Sequence, residues 1–338
     1  MIIPYRTRQV FKSIALAALA VLLVLALIWS IWFIWLKRYV VYTSDGAKLD
    51  FSLGTFTQGQ VAEEPPPGET VSIYYNEGDN LVQTSTELTQ MTGYYIEIGA
   101  MQEDIEAVIS QVRQLAAGTP VMVDVKNIYG SFYYSSNVSD QRASSVDTQK
   151  MDELIKLLNT KDIYTIARLP ALRDYYYGLH HVPDGLPLPG GYLWMDDDSC
   201  YWLDPTKEGT LTYLVQIVTE LKNLGFDEVV FYDFCFPDTE SIIFNGDRDE
   251  ALKQTAQTLV KTCTNDRFAV SFVASDAAFP LPEGRSRMYL ENAAAADAAN
   301  IAVQTGLTDP DIRLVFLTEN HDTRFDAFSV LRPLSAAH

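Results

Sequence analysis

Beyond residue 90 the sequence alternates short apolar runs with stretches of helical periodicity, and that alternation leaves few folds open. It is the pattern of βαβ units and a parallel sheet. Strands are expected at 94–98, 121–125, 162–168, 227–233, 268–273, 299–303, 313–318 and 327–331. Helices are expected at 102–117, 147–159, 207–224 and 248–263, each with apolar residues at i, i+3, i+4 spacing. In the third, Leu211, Leu214, Val215, Val218 and Leu221 share one face, and Gly225 follows as a C-cap.

Eight strands with interleaved helices fit an α/β fold of the (β/α)8 TIM-like barrel type, whose usual size is about 250 residues. Little helix separates the last three strands, so the barrel is expected to be distorted in its last third. A doubly wound open sheet is the alternative.

A parallel barrel strand is buried on both faces, so a charged residue at the end of an apolar run belongs at the C-terminal rim, where such barrels place their active sites. Five runs end this way. Glu97 closes the first, Asp124 and Lys126 the second, Arg168 the third, Asp233 the fourth and Glu319 the seventh. Asp124 and Lys126 have the same parity and so share a face. Plain ion pairing or solvent contact explains any one of them; convergence of the set makes a carboxylate-lined cleft.

The connection from Leu169 to Pro205 is far longer than the usual loop of about 2 to 6 residues and is expected to lie over that rim. It carries Trp194, Trp202 and the acidic run Asp196, Asp197, Asp198, with five tyrosines at 175, 176, 177, 192 and 201. Aromatic faces beside carboxylates suit sugar rings, which offer C–H faces for stacking and hydroxyls for hydrogen bonds. The alternative is that the aromatics pin a long loop to the barrel.

The N-terminal part is of another kind. From Ile14 to Leu36 the chain runs 23 residues without a charge, enough to cross a hydrocarbon core of roughly 30 Å. Trp29, Trp32 and Trp35 crowd its end, and Lys37 with Arg38 follows. A transmembrane helix is expected at 14–36, with 1–13 cytoplasmic by the positive-inside rule and the C-terminal domain extracellular at a cell membrane. Residues 37–90 are expected to be an extended segment and a Pro-rich linker, including TQGQVAEEPPPGET at 57–70. The domain itself would occupy 91–338.

Charge narrows the partners. The chain holds 25 Lys+Arg against 44 Asp+Glu, a net of −19, and six of the basic residues fall within the first 50. The remainder would repel a phosphate backbone, which excludes nucleic acid. Four histidines (His180, His181, His321, His338) without partners at ligand spacing give no metal site, and no cofactor is implied. Neither G-x-S-x-G, H-E-x-x-H nor G-x-x-x-x-G-K occurs. Cys200, Cys235 and Cys263 can make one disulfide at most; Cys235, at the expected rim, lacks a histidine partner.

The segments VMVDVKNIYGSFYYSS (121–136), IYTIARL (163–169) and WLDPTKEGTLTYLVQIVTELKNLGFDEVVFYDFCFP (202–237) resemble the Putative glycoside-hydrolase domain family of bacterial proteins, related to α-amylase-type barrels. The resemblance covers roughly 91–333. The family pattern of Asp-x-Lys, Ala-Arg, Trp-x-Asp-Pro and Gly-Phe-Asp-Glu falls on Asp124 and Lys126, on Arg168, on Trp202, Asp204 and Pro205, and on Gly225 through Glu228. The departure lies at the fourth strand, where the family's Phe-Asp-Tyr-x-Arg-Phe-Pro reads Phe231-Tyr232-Asp233-Phe234-Cys235-Phe236-Pro237. The aspartate has moved by one residue and Cys235 replaces the arginine. Either the strand end is bulged or the catalytic arrangement is altered.

Together these readings imply a membrane-anchored, outward-facing glycoside hydrolase acting on a cell-wall or environmental polysaccharide or oligosaccharide through two carboxylates. Asp233 would serve as nucleophile or base and Glu319 as acid, with Asp124 next in line. Glu97, Lys126, Arg168, Trp194, Trp202 and Asp204 would bind substrate. The alternative is a non-catalytic carbohydrate-binding or envelope-scaffolding barrel.

Overall fold

The computed structural model describes residues 87–274 and 277–334, and the backbone of 40–43 and 46–49. Two units divide the chain, Met1–Asp79 and Asn80–His338. In the first, strands Val40–Thr43 and Gly46–Leu49 pair antiparallel, with Val40 opposite Leu49. The expected span at 14–36 and the linker at 57–70 lie outside the described residues. Among the described residues no helix is long and apolar enough to cross a membrane.

The second unit is a closed barrel of eight parallel strands. They are β1 (Thr92–Ile96), β2 (Pro120–Asp124), β3 (Tyr164–Pro170), β4 (Glu228–Tyr232), β5 (Ala269–Val273), β6 (Met288–Glu291), β7 (Leu314–Leu317) and β8 (Ser329–Pro333). Closure is made by β8, which sets Val330 opposite Thr92 of β1 and opposite Phe316 of β7. That pairing rules out the open sheet. Burial on both faces explains the unbroken apolar runs: the consecutive Val229, Val230 and Phe231 are all wholly buried.

Helices α1 (Ile98–Gln114), α2 (Thr148–Thr160), α4 (Glu208–Asn223) and α5 (Arg248–Cys263) cover the outside, with short α3 (Tyr175–His180) in the long loop after β3. In α4 the buried face is Leu214, Ile217, Val218 and Leu221, close to the expected stripe. Gly225 ends the helix at φ 95°, and a Cβ there would meet the Asn159 side chain at 2.6 Å, so the position needs glycine.

One expected strand is misplaced. Residues 299–303 belong to helix α6 (Ala298–Gln304), where Ala298 and Ala302 are buried one turn apart and Val303 is exposed. An alanine-rich stretch burying one narrow stripe is helical by propensity as well as by pattern. The strand in its place is the four-residue β6, in register with β5 at Phe272–Met288 and Val273–Tyr289. The last third is thin, as expected: α6 and the single-turn α7 (Pro310–Arg313) are its only α-helices among the described residues.

The N-terminal end of the barrel is plugged by a buried charge network. Glu228 opens β4, accepting Tyr164 OH at 2.9 Å and Arg287 Nη1 at 2.6 Å on one oxygen, and Ser271 Oγ at 2.5 Å and Tyr289 OH at 3.0 Å on the other. Arg287 also donates to Thr89 O and Ile312 O. Every lone pair has a donor, which makes the burial of this carboxylate tolerable. Its place at the end opposite the rim assigns it to stability.

Candidate active site

At the C-terminal rim the register of β2 and β3 sets Asp124 opposite Arg168. Arg168 Nη1 donates to Asp124 Oδ1 at 2.9 Å, Nη2 donates to Glu291 Oε1 at 2.6 Å, and the guanidinium lies 4.3 Å from the centre of the Tyr232 ring. Burial works against the Arg168 charge, yet Asp124 and Glu291 hold it above the ordinary arginine value. For Asp124 burial wins. Its carboxyl is pushed up despite the guanidinium beside it.

The pair of Arg168 and Glu291 forms a wall shared by two lobes. The smaller, about 380 Å³, is lined by Glu97, Asp124, Glu319 and Tyr95 besides the wall itself. The larger, about 820 Å³, holds Asp233 with Tyr232, Phe236 and Phe279. Tyr95 is pushed up to about 12 by burial and by the neighbouring charges of Glu97 and Glu319. The structure therefore gathers Glu97, Asp124, Arg168, Asp233 and Glu319 at one mouth. Glu97 and Glu319 are exposed, at its edge.

Asp233 reaches the rim through its backbone. It follows the last residue of β4 at φ 50°, in the left-handed region that aspartate tolerates better than most residues. The strand has ended at Tyr232, so the alternation of faces no longer applies to Asp233. Burial pushes the Asp233 carboxyl up; Arg173 and Arg168 act against it, and Asp196 and Glu291 add to it. Cys235 beside it is exposed, but its thiol is pushed up to about 11, a poor nucleophile near neutral pH.

The other expected residues lie elsewhere. Lys126 is fully buried, its Nζ 2.7 Å from Asp174 Oδ2. The parity argument for it fails because β2 stops at Asp124, and Lys126 belongs to the loop that bridges to Phe132. Asp204 caps a turn, accepting Thr206 N at 2.9 Å and Thr206 Oγ at 2.6 Å. Trp202 is 7% exposed and donates its indole N–H to Asp196 Oδ2 at 2.9 Å. Trp194 is half-buried, 6.4 Å from Trp202 between ring centres. The two tryptophans hold the loop to the barrel.

Two residues at the mouth have no counterpart in the sequence reading. Glu291 ends β6, the strand that was misplaced, although it closes an apolar run (Met288-Tyr289-Leu290) as the other rim residues do. Arg173 lies in the long loop, and its guanidinium reaches Asp196, Asp198 and, at 3.8 Å, Asp233.

Comparison with known proteins agrees with the barrel fold. The profile of a family described as "Putative glycosyl hydrolase domain" matches residues 93–271. No curated protein sequence matches. The α-galactosidase from Lactobacillus brevis is 11% identical at a TM-score of 0.50, over 74% of this chain and 38% of that one. A GH36 α-galactosidase from Geobacillus stearothermophilus in complex with stachyose is 12% identical at 0.50, over 73% and 39%. A hypothetical protein from Ruminiclostridium thermocellum is 21% identical at 0.45, over 53% and 96%. The chain thus spans about two fifths of the length of the α-galactosidases it matches. At such identities the likeness is one of fold, the barrel itself.

Proposed function

The chain belongs to the Putative glycosyl hydrolase domain family, and on that premise we propose that it cleaves glycosidic bonds of a cell-wall or environmental polysaccharide at the C-terminal mouth of its barrel. The observation that carries this reading is that Asp233 and Glu291 line one lobe in opposite surroundings. Glu291 accepts a guanidinium hydrogen bond from Arg168 at 2.6 Å, which fixes its carboxyl group against the wall between the lobes. Asp233 is 28% exposed and pushed up by burial, which favours its acid form. A carboxyl raised by burial beside one held by a guanidinium can supply an acid and a base or nucleophile.

In the reaction Asp233 protonates the departing glycosidic oxygen. Glu291 either attacks the anomeric carbon or takes a proton from the attacking water. This exchanges the part first given to Asp233 and moves the second carboxylate from Glu319 to Glu291, which is also exposed but shares a lobe with Asp233 and is held by Arg168. Asp124, on the other arm of Arg168, supports the wall from the smaller lobe. The phenyl rings of Phe236 and Phe279 offer the apolar surface on which a sugar ring stacks. The 23-residue apolar run would hold the domain at the outer face of a cell membrane, within reach of such a polymer.

The test is turnover by the full chain on a panel of cell-wall polysaccharides and α-galactosides such as stachyose, with Asp233→Asn as control. Hydrolysis that the substitution abolishes supports the reading. Binding without hydrolysis by the parent protein overturns it in favour of a carbohydrate-binding barrel.

A further inference from the structure

The loop after β3 is anchored through two adjacent residues with different partners. Asp174 is buried, pairing with Lys126, accepting Tyr213 OH at 2.8 Å and capping α3 through the Tyr177 N–H at 2.8 Å. Its neighbour Arg173 meets the mouth. The backbone fixes that placement, because Ala171 N donates to Tyr232 O at 2.8 Å and Leu172 N to Asp233 O at 3.3 Å, extending the β3–β4 ladder past the strand ends. The loop cannot shift without breaking contact with the residue that carries the acid.

Arg173 is 17% exposed, and its guanidinium lies 5.7 Å from the centre of the Trp202 ring. It shares one charge among three carboxylates: Nε lies 2.5 Å from Asp196 Oδ2, Nη2 bonds Asp198, and Nη1 stands 3.8 Å from Asp233 Oδ2. The outcomes differ. Burial opposes the Asp196 charge, but Arg173, the Cys200 N–H and the Trp202 indole hold that carboxyl below the usual range. Asp233, beyond hydrogen-bond reach of the same cation, stays above it.

Resting on the assignment of Asp233 as the acid, we propose that Arg173 is the positioning residue for Asp233, the loop cation that stands 3.8 Å from its carboxylate at the mouth. The cation comes from the loop after β3 and not from β4. The groups facing Asp233 are Arg173, Arg168, Asp196 and Glu291, with the Tyr232 phenol and the Cys235 thiol beside it. Asp196 and Asp198 compete for Arg173 and so keep its pull on Asp233 partial.

Because the readout must not depend on a substrate, the experiment is a carbon-13 carboxyl titration of the full chain in detergent, labelled at aspartate and assigned with Asp233→Asn. Arg173→Gln should raise the Asp233 midpoint by about one pH unit, the lower end of what a neighbouring opposite charge does. Arg173→Lys should restore most of it. Asp198→Asn, at a position 62% exposed, leaves folding intact and should lower the midpoint by releasing Arg173. An unchanged midpoint in folded Arg173→Gln, or in Asp198→Asn should the glutamine variant not fold, overturns the proposal. A protein with these shifts but no glycan turnover would sink the catalytic reading and leave the Arg173 assignment standing.

Discussion

Arg168 and Glu291 meet at 2.6 Å although 123 residues separate them in the chain. With Asp124 on its other arm, this one guanidinium ties β2, β3 and β6 together at the mouth and divides the mouth into two lobes. It also differentiates the carboxylates. Glu291 accepts a hydrogen bond from its cation, whereas Arg173 stands 3.8 Å from Asp233, and the proposed division of roles rests on that difference.

Trp202 is expected to behave as an anchor. Trp202→Ala should cost about 3 to 5 kcal/mol, as removal of a buried tryptophan does, with Trp202→Phe costing less. Thermal unfolding measures both. An unchanged melting temperature together with weakened glycan binding would instead return Trp202 to the binding surface.

Asp227 gives a pH signature. Burial pushes its carboxyl up to about 6, while its Oδ2 accepts the Thr165 N–H at 2.8 Å. The native state then binds a proton more tightly than the unfolded chain, whose aspartates titrate near about 3.9. The stability this contributes is full below about pH 4 and lost as pH rises through about 6. Asp227→Asn should therefore lose less stability than the parent between pH 4 and pH 7. Equal losses in chemical denaturation would contradict the assignment.

Arg287→Met leaves Glu228 buried with its charge uncompensated, and should destabilise by about 3 to 5 kcal/mol in denaturant titrations. Since the network lies at the N-terminal end of the barrel, glycan turnover below the melting temperature should be unaffected. A selective loss of turnover in a protein of normal stability would place this network in the site.

For the membrane anchor, protease added to intact cells should digest the chain after about residue 40, the end of a span that 23 apolar residues can supply. Protection of residues 60–330 would place the domain on the inner side.

Much of the barrel could be read from sequence because both faces of its strands are buried, giving continuous apolar runs such as Val229-Val230-Phe231. The exception was β6. Four residues after a Pro- and Gly-containing segment carry little signal, and the alanine-rich helix beside it offered a stronger apolar run. Missing β6 hid Glu291. Asp124, Arg168 and Asp233 were legible because a charge ending a buried strand must meet solvent or a partner. Lys126 and Asp204 carried equally strong family signals, yet they fix loops, since spacing along the chain cannot say where a strand stops. Arg173 left no periodic trace, because its position depends on backbone bonds between the loop and β4.

The central claim is that Glu291, not Glu319, completes the carboxyl pair with Asp233. It is tested most directly by comparing single-turnover rates of Glu291→Gln and Glu319→Gln on whichever glycan the parent protein hydrolyses. Removing a group that transfers a proton in the reaction typically costs about 10²- to 10⁴-fold. A loss of that size is expected for Glu291→Gln, with bound substrate retained, and little change for Glu319→Gln, which lines the other lobe. The reverse order, or full activity in Glu291→Gln, would contradict the account.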